Sequence, residues 1–169
     1  MEEIMSFIEL GLMLSTLFVT LVAGIVLTFA IVVMPGIRSL NDRDFLQAFK
    51  AMDREIQRNH PVFMLVWIGS ILALAVTSGL GMFILEGINR ILLVSACVIY
   101  FFGVMLPTAR INIPLNNELQ KHDLKRMSNT ELKQIRFNFE STWNRWNIIR
   151  TIIATTTAVV LLVVWGGDG

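Results

Sequence analysis

The stretch Trp143-Asn144-Arg145-Trp146-Asn147-Ile148-Ile149-Arg150 runs directly into Thr151 to Trp165, which carries no charge. The uncharged run is 15 residues long, which makes about 22 Å of helix at roughly 1.5 Å per residue. A bilayer's hydrocarbon core is about 30 Å thick, so a spanning helix must draw on the residues before it. Arg150 and Asn147 are thereby brought into the membrane's edge. An arginine at that depth is costly unless it is paired, buried in a bundle or able to snorkel. Trp143, Trp146, Asn147 and Arg150 recur at i, i+3, i+4 and i+7, which places them on one helical face.

Composition extends this reading to the whole chain. Of 169 residues 54% are hydrophobic and only 16% charged, where a soluble domain carries about 25% charged residues. The mean hydropathy is +0.65, and the apolar residues lie in long blocks. A net charge of +1 without a basic, aromatic-rich patch gives no reason to expect nucleic acid. The single cysteine, Cys97, allows no disulfide or paired-thiol chemistry. Two histidines, His60 and His122, and one cysteine are too few for a structural zinc site, and no metal or cofactor is expected.

The first span covers about 7–34 and is closed by Pro35-Gly36. Asn41 and its neighbours offer a helix cap, after which Phe45, Phe49, Met52 and Ile56 define an amphipathic helix outside the hydrocarbon. That helix lies on the membrane surface or covers one mouth of the bundle, with its charges taken as a solvated face. Asn59-His60-Pro61 opens a second span at about 62–85, and a short turn through Glu86 to Arg90 leads to a third at about 91–106. Asn112 and Asn116, four apart, flank Pro114, which requires an irregular or newly started turn. Ser128-Asn129-Thr130-Glu131 fits a capping box, and one helix is expected from about Asn129 to Val164. The last span is about 147–165.

The expected fold is therefore all-α: one domain, residues 1–169, forming an integral membrane four-helix bundle with amphipathic or extended helices in two of its connections. Thirteen of the 14 Lys and Arg residues fall in the first and third connections, so the positive-inside rule makes residues 35–61 and 107–146 cytoplasmic and both termini external. The expected location is a cytoplasmic membrane of bacterial type. The ends of all four spans then meet at one mouth, bringing together His60, Asn112, Asn116, Trp143, Trp146, Asn147 and Arg150, with Arg150 expected to be held by Asn112 or Asn116 across the bundle. An interfacial belt of tryptophans and snorkelling cations and a ligand site explain that gathering about equally well.

Several elements carry a resemblance: Ala23-Gly24, Val33-Met34-Pro35, Asn59-His60-Pro61, Asn112-Ile113-Pro114-Leu115-Asn116 and Trp146-Asn147-x-x-Arg150. In that order they are similar to the anthrone oxygenase-like family of small four-span membrane proteins. The resemblance implies that Asn112, Asn116, Trp146, Asn147 and Arg150 are signature positions. It also implies a relation to fungal enzymes that oxidise anthrones to anthraquinones without a metal or flavin. Two functions stay open at this point. One is cofactor-free oxidation of a lipophilic phenol, anthrone or quinone-like substrate, with Trp143 and Trp146 as a slot, Arg150 and Asn147 holding an oxyanion and His60 as base. The other is a non-catalytic membrane module that binds a lipid, a quinone or a partner protein. The lipid bilayer is the expected partner in both, and a homo-oligomer remains open.

Overall fold

The computed structural model describes residues 2–166, with side chains from Ser6 onward, and every regular element among them is helical. Helix α1 runs Glu2–Thr28 and continues through Phe29–Val33 and Met34–Ile37; α2 is Asp42–Gln57 and α3 is Pro61–Ile84. Helix α4 spans Gly87–Lys121 and α5 spans Asn129–Gly166. Four of the five, all but α2, are long and apolar enough to cross a membrane. Only 28–39% of each one's most apolar window is buried. Leu65, Leu72, Val76, Phe102, Ile152 and Val163 all face outward, which is the distribution a lipid solvent requires.

Helix α1 packs along both α3 and α5, and α4 leans on α5. Ile8, Leu12, Val19, Leu74, Leu93 and Leu161 form the centre of the bundle. Two small residues allow close contact or a tight turn between α3 and α4. A Cβ at Gly81 would lie 2.6 Å from Leu93 Cδ2, and Gly87 holds a φ of 55° that a side chain would resist.

The prolines explain where the helices depart from the sequence reading. Pro61 takes the first turn of α3, where its missing N–H costs nothing. The other three, Pro35, Pro107 and Pro114, each follow by two residues a five-residue wide turn with i→i+5 bonding. Those turns are Phe29–Val33, Phe101–Met105 and Thr108–Asn112. Widening makes room for a ring that would otherwise clash with the carbonyl four residues back. Consequently Pro35-Gly36 does not end the first span, which carries on to Ile37, and α4 does not stop at Leu106 but continues to Lys121.

On the side of the first and third connections a second core gathers Met34, Phe45, Leu46, Phe49, Leu119, Leu132, Phe139 and Trp143. It seats α2 across the mouth of the bundle, the second of the two placements its amphipathic pattern allowed. Asn41 caps α2 by accepting from Asp44 N at 3.0 Å, and Ser128 with Glu131 forms the capping box of α5. The charges of this layer are not merely solvated. Arg43 donates to the carbonyls of Leu124 and Met127, and Lys50 donates to those of Gln120 and His122 near the end of α4. Arg136 donates to Arg38 O and Leu40 O, both at 2.8 Å, pairs with Glu140 and Asp42, and lies 4.2 Å over the Phe45 ring. Cations thus satisfy carbonyls that helix ends leave open.

We predict that Arg136→Ala lowers the stability of the detergent-solubilised protein by about 1–3 kcal/mol, the scale of hydrogen bonds to charged groups. Arg136→Lys should recover only part of it, because one ammonium with three N–H donors cannot reach the four oxygens that the guanidinium holds through three separate nitrogens. Denaturant unfolding measures both, and full recovery by lysine would contradict that reason.

Candidate functional site

Beneath α2 lies a cavity of about 380 Å³, within the range of about 300–1,000 Å³ usual for small-molecule sites. Each of the five helices contributes. Ile25, Val26 and Phe29 come from α1, Phe49, Asp53 and Gln57 from α2, and Phe63, Met64 and Trp67 from α3. Helix α4 supplies Thr108, Asn112, Ile113 and Asn116, and α5 supplies Trp143, Asn147 and Arg150.

The arrangement on α4 follows from its wide turns. Thr108, Asn112, Asn116 and Gln120 are spaced by four. In a straight α-helix each step of four overshoots a full turn by about 40°, so the series would drift by about 120°. The wide turn Thr108–Asn112 takes more residues per turn and offsets part of that drift. The first three positions consequently reach the cavity, and Gln120 reaches Asp53 at its rim.

Arg150 is 4% exposed and has no carboxylate within ion-pair range among the described residues. Its Nη1 donates to Thr108 Oγ1 at 2.8 Å and its Nη2 to Asn147 Oδ1 at 3.0 Å. The guanidinium carbon lies 5.9 Å from the centre of the Trp143 ring, inside cation–π range. Among the described residues Arg150 Nε has no hydrogen-bond partner, and neither has Asn112 Oδ1. Asn147 completes its amide by donating to Val26 O at 3.0 Å, which anchors α5 to α1. The pairing of Arg150 with Asn112 or Asn116 that the sequence suggested is therefore absent. Thr108, one turn deeper on α4, takes the guanidinium instead, while Asn112 donates to Trp143 O at 3.4 Å.

A second polar chain closes the mouth. Trp143 Nε1 donates to Asn116 Oδ1 at 2.8 Å, and Asn116 Nδ2 donates to Asp53 Oδ1 at 2.8 Å. Because the indole can only donate, it fixes which way the Asn116 amide points. Gln57 and Gln120 each donate to Asp53 Oδ2 at 2.7 Å. Asp53 is 3% exposed. Burial pushes its carboxyl above the usual carboxylate range, against the opposing pull of the three amide donors.

The apolar walls are aromatic. Trp143 meets Phe29 at 5.6 Å and Phe49 at 5.1 Å, and on α3 Phe63 stacks with Trp67 at 5.5 Å and 14°. Flat faces of this kind suit a flat, conjugated ligand. A larger hollow of about 550 Å³ lies between Met34, Arg38, Arg136 and Ile148. Arg136 there is already engaged by four oxygens, so the smaller cavity, with its unpartnered polar atoms, is the better candidate.

Residues 52–160, more than half of the chain, match the sequence profile described as Anthrone oxygenase. The chain belongs to the anthrone oxygenase family. No curated protein and no solved structure matches it. The family membership agrees with the resemblance drawn from Asn112 to Asn116 and Trp146 to Arg150, and with four candidate membrane helices.

Of the positions singled out in the sequence, Asn112, Asn116, Trp143, Asn147 and Arg150 meet at the cavity. Trp146 is half-buried beside it and is not part of its lining; His60 has an exposed side chain at the start of α3 and does not line it either. Asp53, Gln57, Thr108, Phe63 and Trp67 escaped the sequence reading. The i, i+4 aromatic pair Phe63 and Trp67 was a usable signal. So was Asp53, one turn after Phe49 on the same face of α2.

The raised Asp53 carboxyl sets a sign for stability against pH. Folding favours its protonated form, so its contribution is fully present below the ordinary carboxylate value of about 4 and is lost as pH rises through the folded value. Asp53→Asn is neutral throughout and should remove that decline. Thermal unfolding in detergent across this window tests it, and an unchanged slope in the variant would assign the decline to other groups.

Proposed function

We propose that the cavity binds a flat lipophilic anthrone or related phenol, with its oxygen against Arg150, and promotes its oxidation by molecular oxygen. The observation that carries this reading is Arg150: a buried guanidinium with, among the described residues, an unpartnered Nε and no carboxylate, in the wall of an aromatic cavity. Such a group is prepared for an anion that forms on the ligand. Membership of the anthrone oxygenase family supports the same substrate class.

An anthrone carries an acidic CH₂ between its rings, opposite a carbonyl. Removing one proton yields an anion whose charge lies largely on that carbonyl oxygen, where Arg150, held by Thr108 and Asn147, stabilises it. Asp53 receives the proton, directly or through one water. The anion transfers one electron to oxygen, and the resulting radical and superoxide combine to form a carbon–oxygen bond. The peroxide takes up a proton, then loses the remaining C–H proton as its O–O bond breaks. One oxygen atom stays as the new carbonyl and the other leaves as water. None of these steps draws on His60, which stands outside the cavity. In this reading the basic side of the molecule, with α2, faces the cytoplasm.

Oxygen uptake by the purified protein with an anthrone is the direct test. Arg150→Gln should lower kcat/KM by about 10²–10³-fold, the scale of losing a principal oxyanion donor, with Arg150→Lys less affected. Activity should rise with pH through the raised Asp53 value and lose that limb in Asp53→Asn, while His60→Ala leaves the rate unchanged. Uptake no faster than the buffer blank over a panel of anthrones and hydroquinones would end the oxygenase reading. Saturable binding without turnover would leave a binding module in its place.

A further inference from the structure

Helices α3 and α4 form a hairpin that closes at one end only. Near the short turn they are tightly joined, with Gly81 against Leu93 and Ser78 Oγ donating to Leu93 O at 3.4 Å. Tyr100 Oη donates to Ser70 Oγ at 2.9 Å. Beyond that bond α3 continues for nine more residues to Pro61, about 14 Å, and α4 for thirteen to Ile113, about 20 Å. Helix α3 packs along Gly87–Tyr100 but makes no comparable contact with Phe101–Lys121. The separation begins at the first wide turn of α4, Phe101–Met105, where proline-linked irregularity redirects a helix.

The cavity occupies this divergence. Phe63 and Met64 stand at one side of the gap and Ile113 at the other, and all three line the cavity. Ile113, a large apolar residue on a candidate spanning helix, is 46% exposed as well as lining the cavity. Val62, Leu65 and Leu106 beside the gap are exposed and apolar, while exposed Arg110 lies between Leu106 and Ile113, and exposed Gln57, Asn59 and Asn117 line the cavity toward the basic side. On that side α2 lies over the cavity with Phe49 and Asp53 buried in their contacts.

We propose that the cavity opens sideways into the bilayer between α3 and α4, and that its ligand, an amphiphile with a flat apolar body and an acidic hydroxyl or enol, is taken from the membrane. This rests on the reading of the cavity as the binding site. Its apolar body passes between Met64 and Ile113, and its acidic oxygen meets Arg150 inside. Thr108 and Asn112 sit behind Ile113 on α4, so a molecule moving inward exchanges lipid for polar contacts step by step.

The test uses Trp143, which is 4% exposed, as an internal reporter. Trp67→Phe, Trp146→Phe and Trp165→Phe leave it as the sole tryptophan of the full chain, reconstituted in phosphatidylcholine vesicles with brominated acyl chains. Bromolipid should quench Trp143, and Ile113→Arg, which sets a charge in the gap, should remove most of that quenching. Quenching by aqueous iodide without bromolipid quenching would mean that the cavity opens to water and would overturn the proposal. So would bromolipid quenching that Ile113→Arg leaves unchanged, since it would act through the helix wall. A nitroxide at Ile113→Cys, in a Cys97→Ala background, gives a reading that needs no tryptophan substitution. Relaxation by oxygen should exceed that by a water-soluble nickel chelate, and the reverse order overturns the proposal. Bromolipid quenching without oxygen uptake supports side access and removes the oxygenase; uptake without such quenching does the opposite.

Discussion

A guanidinium buried without a carboxylate among the described residues is the constraint around which this molecule is arranged. Arg150 cannot be carried at that depth by dispersion alone. Of its two partners, Thr108 comes from α4 and Asn147 from its own helix, where Asn147 is itself tied to the Val26 carbonyl of α1. These contacts fix α5 in rotation and depth against two other spans. Among the described residues they still leave Nε unpartnered, and that residual capacity would let a structural clasp serve also as the proposed site. A carboxylate partner would hold the bundle as well and would leave much less of the positive field for a ligand.

The wide turns of α4 meet a geometric demand of the whole cavity, where Thr108 serves Arg150, Asn112 and Asn116 serve Trp143, and Asn116 and Gln120 serve Asp53. Partners must be offered on one face over three turns of helix, and an undistorted helix rotates a four-residue series away from that face. Proline supplies the disturbance and the i→i+5 turn absorbs it. Backbone irregularity is tolerated at membrane depth where it lines protein or a cavity rather than lipid. That condition holds here, since Thr108 and Asn112 point inward. The same turns lead α4 away from α3, so the polar ladder and the gap beside it have a common origin.

Much of this was legible in the chain, for identifiable reasons. The length of the uncharged run after Arg150, the concentration of basic residues in two connections and the capping box at Ser128 each follow from one local rule. The helix from Asn129 to Gly166 follows them closely. The gathering of Asn112, Asn116, Asn147 and Arg150 was legible because polar residues beside apolar runs have few places to go. The misses are instructive in the same terms. Periodicity assigned α2's buried face to Phe45, Phe49, Met52 and Ile56, but Leu46 and Asp53 are buried there, and a search for apolar residues passes over an aspartate. Trp146 shares a face with Trp143 on a helical wheel, yet the inward positions are 143, 147 and 150. Expecting Asn112 opposite Arg150 assumed that α4 broke at its prolines. It continues through them, and the residue one turn deeper takes the contact.

A helix built on wide turns also has an unusual relation to insertion and deletion. In a connecting loop one residue more or less changes little, because the slack is shared. Within 101–112 the loss of one residue either straightens a wide turn, which takes up the loss and shifts the positions inside it, or falls in regular helix, rotates everything beyond it by about 100° and draws it in by about 1.5 Å. In the second case Thr108 or Asn116 would face lipid, with Asp53 left among fewer donors. The spacing of this helix is thus counted in single residues, and its length records the shape of the cavity as faithfully as its side chains do.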